Sequence, residues 1–212
     1  MKNIILVLLG LLISCSCFAQ RQKGFGLGVK VGLNVADFTS STGGPRAGLY
    51  AGVFTDYYVS ERFGFELGAY YSQQGSNENS YIFPVDGSPY QLINYDLDYI
   101  STQILLKYHF VLGFRAVLGA SPAFLMKATS KTINGEGIES INNIDGINKF
   151  DCGVIAGIGY TFKFGLDLQV SYTRGFMSFF EDRGRYNSVY MLGVGWRFLG
   201  TGGKTHKRVK IK

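Results

Sequence analysis

Residues 24–38 read GFGLGVKVGLNVADF. Phe25, Leu27, Val29, Val31, Leu33 and Val35 fall in one register, while Gly26, Gly28, Lys30, Gly32, Asn34 and Ala36 fill the other. Strict period-two alternation predicts a strand with one apolar face and one small or polar face. The pattern recurs along the chain. Leu49, Ala51 and Val53 share a register in 47–59, and Phe63, Phe65, Leu67, Ala69 and Tyr71 share one in 63–72. Ile100, Thr102, Ile104, Leu106, Tyr108 and Phe110 oppose Ser101, Gln103, Lys107 and His109. Further strands are predicted over 114–126, 150–162, 166–173 and 190–198. Together these make eight strands, each near the roughly 9–11 residues that a bilayer-crossing strand requires.

The connections alternate in length. Tight links fall near 60–62, 112–113 and 163, and longer polar links near 39–45, 74–96, 129–149 and 175–187. An even strand count with short turns at one end and long loops at the other is the layout of an outer-membrane barrel. The expected fold is therefore all-β: an eight-stranded antiparallel up-and-down transmembrane β-barrel with both termini on the short-turn, periplasmic side. The polar register is mostly Gly, Ser and Thr with scattered charges, too sparse a coat for a soluble barrel but suited to a narrow interior. The apolar register is continuous Phe, Leu, Val, Ile and Tyr, which lipid would solvate, and closure leaves no edge stranded in hydrocarbon.

Composition agrees with this reading. Charged residues are 17% of the 212, against roughly 25% in an ordinary soluble chain, as expected where much of the surface avoids water. The net charge of +6 does not indicate nucleic acid. Lys204, Lys207, Arg208, Lys210 and Lys212 lie in the last nine residues, and without them and Lys2 the chain has fifteen basic and fifteen acidic residues.

Three segments follow: a signal peptide over 1–19, the barrel over 20–199 and a basic flexible tail over 200–212. The start, MKNIILVLLGLLISCSCFAQ, has one basic residue, an apolar run and a small-residue site ahead of Gln20, the form of a secretory signal. An alternative cut ahead of Cys15 would make a lipoprotein. After cleavage at Gln20 only Cys152 remains, so no internal disulfide is available. The tail reads as a periplasmic extension, with contact to anionic lipid or an acidic partner as its functional alternative.

With the strands placed, the chain resembles the PorT-like family of Gram-negative outer-membrane barrels. VKVGLNVADF resembles its first strand, ELGAYYSQQG its third, YISTQILLKYHF its fourth, and FDCGVIAGIGY and LGVGWRF its sixth and last. The likeness spans residues 24–198. Gln103 stands where the family often has Pro, and Ser171 where Arg is expected before the Tyr. Trp196 and Phe198 resemble the closing aromatic signal for the barrel-assembly machinery, although fourteen residues follow. The resemblance implies an integral outer-membrane protein without an assigned activity, and its name-giving member is linked to protein export.

The inward charges Lys30, Glu66, Lys107, Arg115, Asp151, Asp167 and Arg197 are expected to form a lumen network, with a narrow channel as the alternative. Residues 75–96 are expected to form a hairpin that extends the wall outwards, with Tyr81, Phe83, Tyr90 and Tyr95 as contact candidates. The oxygen-rich segment 134–146 matches no established calcium loop. A lipid-modifying hydrolase would need a Ser–His pair on the lipid-facing surface, whereas His109 is expected to point inward and His206 lies in the tail. No catalytic, cofactor or metal set is assigned. The expected function is that of a small, non-enzymatic outer-membrane barrel acting through its loops or assembly partners. The alternatives are an accessory subunit of an export apparatus or a narrow channel. The partners expected are outer-membrane lipid, the assembly machinery and a protein in the same membrane, with no nucleic acid.

Overall fold

A computed structural model describes residues 24–39, 44–80, 91–111, 113–134, 137–142, 147–162, 164–178 and 185–200. The proposed signal segment, the tail from residue 201 and the loop residues Tyr81, Phe83 and Tyr90 lie outside them. Nine strands are present among the described residues. They are β1 (Gly24–Phe38), β2 (Gly44–Tyr58), β3 (Phe63–Ser80), β4 (Gln91–Val111), β5 (Phe114–Asn134), β6 (Gly137–Asn142), β7 (Phe150–Thr161), β8 (Leu166–Ser178) and β9 (Tyr186–Gly200).

Eight of them close into a ring. Each of β1 to β5 pairs with the next, β5 pairs with β7, β7 with β8, β8 with β9, and β9 returns to β1. Every pairing is antiparallel. The β1–β9 seam sets Lys30 against Gly195 and Leu33 against Leu192, so the first and last strands seal the sheet and no edge is left unpaired there.

The two registers separate as the alternation requires. Val29, Val31, Leu33 and Val35 are exposed on β1, and Ile100, Ile104, Leu106 and Phe110 on β4. Lys30, Asn34, Ser101, Gln103 and Lys107, which alternate with them, are buried. From Ile100 to Phe110 the apolar face spans ten residue-to-residue steps, about 25 Å for a strand tilted near 40°. That matches the apolar band of an outer-membrane barrel. Aromatics gather at its short-turn edge, where Phe114 packs edge-on to Tyr160 and Phe164 lies 6.4 Å from Trp196. Such girdles sit at the membrane–water boundary.

The short turns are held by glycine where the chain must reverse. Gly113 (φ 97°) joins β4 to β5, and Gly165 (φ 94°) lies in the β7–β8 turn. These are left-handed conformations in which a side chain would be strained.

At the other end the wall is uneven. Gly75–Ser80 of β3 pairs with Gln91–Asp96 of β4, which is the expected hairpin for the described part of 75–96. β5 rises alongside to Asn134, and β6 folds back on it through the pairs from Thr129–Asn142 to Asn134–Gly137. Part of the segment expected to be a loop at 134–146 is therefore strand. β6 pairs with the upper part of β5 and lies outside the ring of eight.

Candidate functional site: the filled lumen

The interior is layered. Its short-turn half holds a chain of alternating charges contributed by five strands. Lys30 Nζ lies 2.7 Å from Glu66 Oε1, and Lys107 pairs with the other oxygen of Glu66. Lys107 Nζ is also 3.5 Å from Asp56 Oδ2, while Arg197 Nε lies 3.1 Å from Asp56 Oδ1. Aromatic rings supply the remaining contacts of the two ammonium groups. Lys30 Nζ sits 5.2 Å from the centre of the Phe54 ring and Lys107 Nζ 5.3 Å, while Arg197 lies over Tyr58 at 5.3 Å. Tyr70 donates its hydroxyl to Glu66 Oε1 at 3.3 Å.

A second cluster completes the circle on the far wall. Arg115 is fully buried and forms a two-pronged pair with Asp167. It also donates to Gln169 Oε1 at 2.9 Å and to Thr161 Oγ1 at 2.7 Å. Thr161 in turn donates to Asp167 Oδ2 at 3.0 Å. Planar bidentate pairing of this kind fixes both side chains in orientation. Glycines opposite make the room: a Cβ on Gly159 would stand 2.7 Å from Arg115 Nη2, and one on Gly26 would fall inside the Arg197 guanidinium. The sparse, glycine-rich register is thus the register that lets long charged side chains lie across a narrow bore.

Above the charges an apolar layer fills the bore, with Tyr50, Phe54, Tyr70, Leu105, Val117 and Ile155 all buried. Next comes a polar layer. Asn34 donates to Ser72 Oγ at 2.8 Å, Gln74 donates to the same oxygen at 2.9 Å, and Asn187 donates to Gln74. A cavity of about 20 Å³ lies here, lined among others by Ser101, Gln103, Ser121 and Asp151. That is room for about one water molecule. Phe38, Leu97, Tyr99 and Leu125 form a second apolar cluster beyond it.

Six of the seven charges singled out from the sequence lie in the two ionic clusters. Asp151 does not. It stands eight residues from Gly159, the partner of Arg115 in the sheet, which is about 26 Å along a strand. Its carboxylate accepts the Met177 amide at 3.4 Å, and it makes no ion pair among the described residues. Asp56 takes the place the sequence reading gave to Asp151, and that reading missed it. The inward register of β2 also carries Tyr50, Phe54 and Tyr58, so polarity did not distinguish it from the outward one.

Tyr95, expected as a contact residue on the loop, is half-buried and packs edge-on against Phe38 at 6.2 Å between ring centres. The strand continues to Gln91, so Tyr95 belongs to the wall and not to a loop. His109 is 5% exposed, faces inward and shares a 3.2 Å hydrogen bond with the Tyr58 hydroxyl. It is turned away from the lipid-facing surface. Trp196 is half-buried, and Phe198 is exposed on the apolar face.

Solved structures with a similar chain path include Neisserial surface protein A, at 13% identity and a TM-score of 0.49, over 82% of this chain and 99% of that one. The attachment invasion locus protein Ail of Yersinia pestis is similar at 15% identity and a TM-score of 0.46, again over 82% and 99%. OprG from Pseudomonas aeruginosa is similar at 14% and 0.42, over 84% and 98%. No curated protein matches the sequence. Residues 18–181, more than three-quarters of the chain, match the model of the outer membrane protein beta-barrel domain, and the chain belongs to that family.

Proposed function

We propose that the chain is a sealed, non-enzymatic barrel that acts at the end carrying its long connections, and that this end lies outside the cell with both termini in the periplasm. The observation that carries the reading is the uneven wall. Among the described side chains of β4 the exposed apolar face stops at Ile100, yet the strand runs nine residues further to Gln91, about 30 Å along its axis. β3, β5 and β6 rise with it. An ordered, polar blade beyond the membrane band is costly to build unless something is met there, and loops held on rigid scaffolds commonly carry contacts.

The filled lumen supports a sealed barrel over a channel. The charged side chains cross the bore in paired contacts, and the aromatic layer lies on top of them. Reconstituted in planar bilayers, the full chain is expected to give no stepwise conductance, and Glu66→Gln none either. Discrete steps in the unaltered protein whose size changes with Glu66→Gln would replace this reading with the channel.

The order and spacing of the motifs from residue 24 to 198 favour a second reading, in which a PorT-like protein serves as an accessory subunit of an export apparatus. Extraction in a mild detergent separates the two. A species near the 23.4 kDa of the chain fits the isolated barrel, and a much larger complex before boiling fits the subunit.

A further inference from the structure

On β3 and β4 the outer face of the tall wall turns polar above the apolar band. Tyr71, Ile100 and Phe124 form an apolar row cross-paired on β3, β4 and β5, and Met126, beside Lys127, and Leu49, beside Gln73, are exposed just above it. In the next row of the same face, Gln73 pairs across to Asp98 and Asp98 to Lys127. One row higher, Asp96 holds two cations: Arg46 Nε at 2.9 Å from Oδ1 and Lys131 Nζ at 2.7 Å from Oδ2. Arg46 reaches this face over Gly75 and is fixed by donating Nη1 to the Gln74 carbonyl at 2.6 Å. Together these side chains line an open cleft of about 330 Å³.

Three cations face two carboxylates there, so the cleft carries one surplus positive charge. Lys127 is exposed and makes no ion pair among the described residues. The cleft opens sideways, towards whatever surrounds the barrel, and not towards its mouth. It begins about 5 Å above the apolar edge, taking one row as two residues along a tilted strand. A molecule that reaches it from the side at that height is a neighbouring lipid, and the part presented is the headgroup. Basic pockets at this level recognise anionic headgroups.

We infer that this cleft, built on Arg46, Lys127 and Lys131 with Asp96 holding two of them in place, binds the phosphate of a lipid headgroup in the leaflet at the tall end of the barrel. The inference rests on the membrane placement in the proposed function. The surplus positive charge favours an anionic phosphate, and the long Lys127 and Lys131 stems can follow it while their apolar parts cover the wall.

Native mass spectrometry of the full chain in neutral detergent tests this with three probes: monophosphoryl lipid A, inorganic phosphate and an uncharged diacylglycerol. A one-to-one adduct with the phosphorylated lipid is expected. It should be roughly thirtyfold weaker in Lys127→Ala/Lys131→Ala, from two basic residues lost at a headgroup surface, and unchanged in Lys149→Ala. Each variant is first run unboiled and boiled on a gel. If the double variant fails to fold, the exposed single change Lys127→Gln carries the test with a smaller loss. Equal retention by folded wild type and variant overturns the inference while leaving the barrel intact. Lysine-dependent binding of inorganic phosphate with no preference for the lipid also overturns it, in favour of a free anion. A chain that shows no mobility shift on boiling strikes the barrel reading itself.

Discussion

Glu66 accepts from two ammonium groups at once, Lys30 at 2.7 Å and Lys107, and is 1% exposed. A carboxylate between two buried cations is the hinge of the charge balance: without it, Lys30 and Lys107 repel each other in a bore from which water is largely excluded. Glu66→Gln keeps the shape and removes the charge. It is expected to destabilise the folded barrel by about 3–5 kcal/mol, the usual cost of stranding a buried charge, read as a lower urea midpoint for the heat-shifted gel band. Replacing Lys30, Glu66 and Lys107 together with Met should recover much of the loss, because apolar groups of similar size can substitute for a buried ionic set. An unaltered midpoint in Glu66→Gln would show that the network does not hold the interior. At this scale the sequence was partly legible. Lys30 and Glu66 stand out because glycines flank them in register, and Lys107 because it shares the register of Ser101 and Gln103, whereas Asp56 is hidden among the inward aromatics of β2. Alternation shows which face a charge is on but not its height, and for that reason Asp151 was grouped with charges at the opposite end of the bore.

The strands fit one another through small residues at defined points. At the β1–β9 seam, Gly32 faces Gly193. A Cβ on Gly32 would stand 2.1 Å from the Leu192 carbonyl oxygen and 2.5 Å from the Tyr50 ring, so backbone would have to move. Gly195, two residues along the same seam, has nothing nearer than 3.4 Å. Gly32→Ala should therefore cost about 1–3 kcal/mol by overpacking, while Gly195→Ala should stay within about 0.5 kcal/mol of the parent in the same unfolding assay. Equal effects would mean that the seam is not packed as described. Element by element, legibility followed the solvent. Inside the band, lipid on one side and lumen on the other favour a contrast between registers, and the wall strands could be read from it, most weakly on β2, where Tyr50 and Phe54 face inward. Beyond the band the outer face no longer meets lipid, and GSNENS in β3 and GIESIN in β6 show no apolar period in sequence although both are strands. The hairpin at 75–96 was still readable, through its central turn residues.

Taken whole, the molecule turns a soluble protein inside out: its apolar register faces outward over about 25 Å, and its polar register closes on itself. Eight strands bring the walls near enough for Lys30 on β1 to reach Glu66 on β3, and for Arg115 on β5 to reach Asp167 on β8. The count of strands, the alternation of short and long connections and the low share of charged residues, 17%, all pointed to this architecture, because closure and membrane thickness act on the chain as a whole. The height of the β3–β6 blade was not visible in those totals. The direct test of the inverted arrangement is a spin-label scan along β9. Cysteines at positions 189, 190, 191 and 192 are introduced one at a time into a Cys152→Ser background, and the protein is reconstituted in phospholipid vesicles. Tyr190 and Leu192 are exposed, while Val189 and Met191 are buried. Labels at 190 and 192 should therefore be relaxed strongly by lipid-soluble oxygen, and labels at 189 and 191 weakly by both oxygen and a water-soluble nickel chelate. Strong relaxation by the chelate at 190 and 192, with oxygen showing no period of two, would contradict the account and return the chain to water.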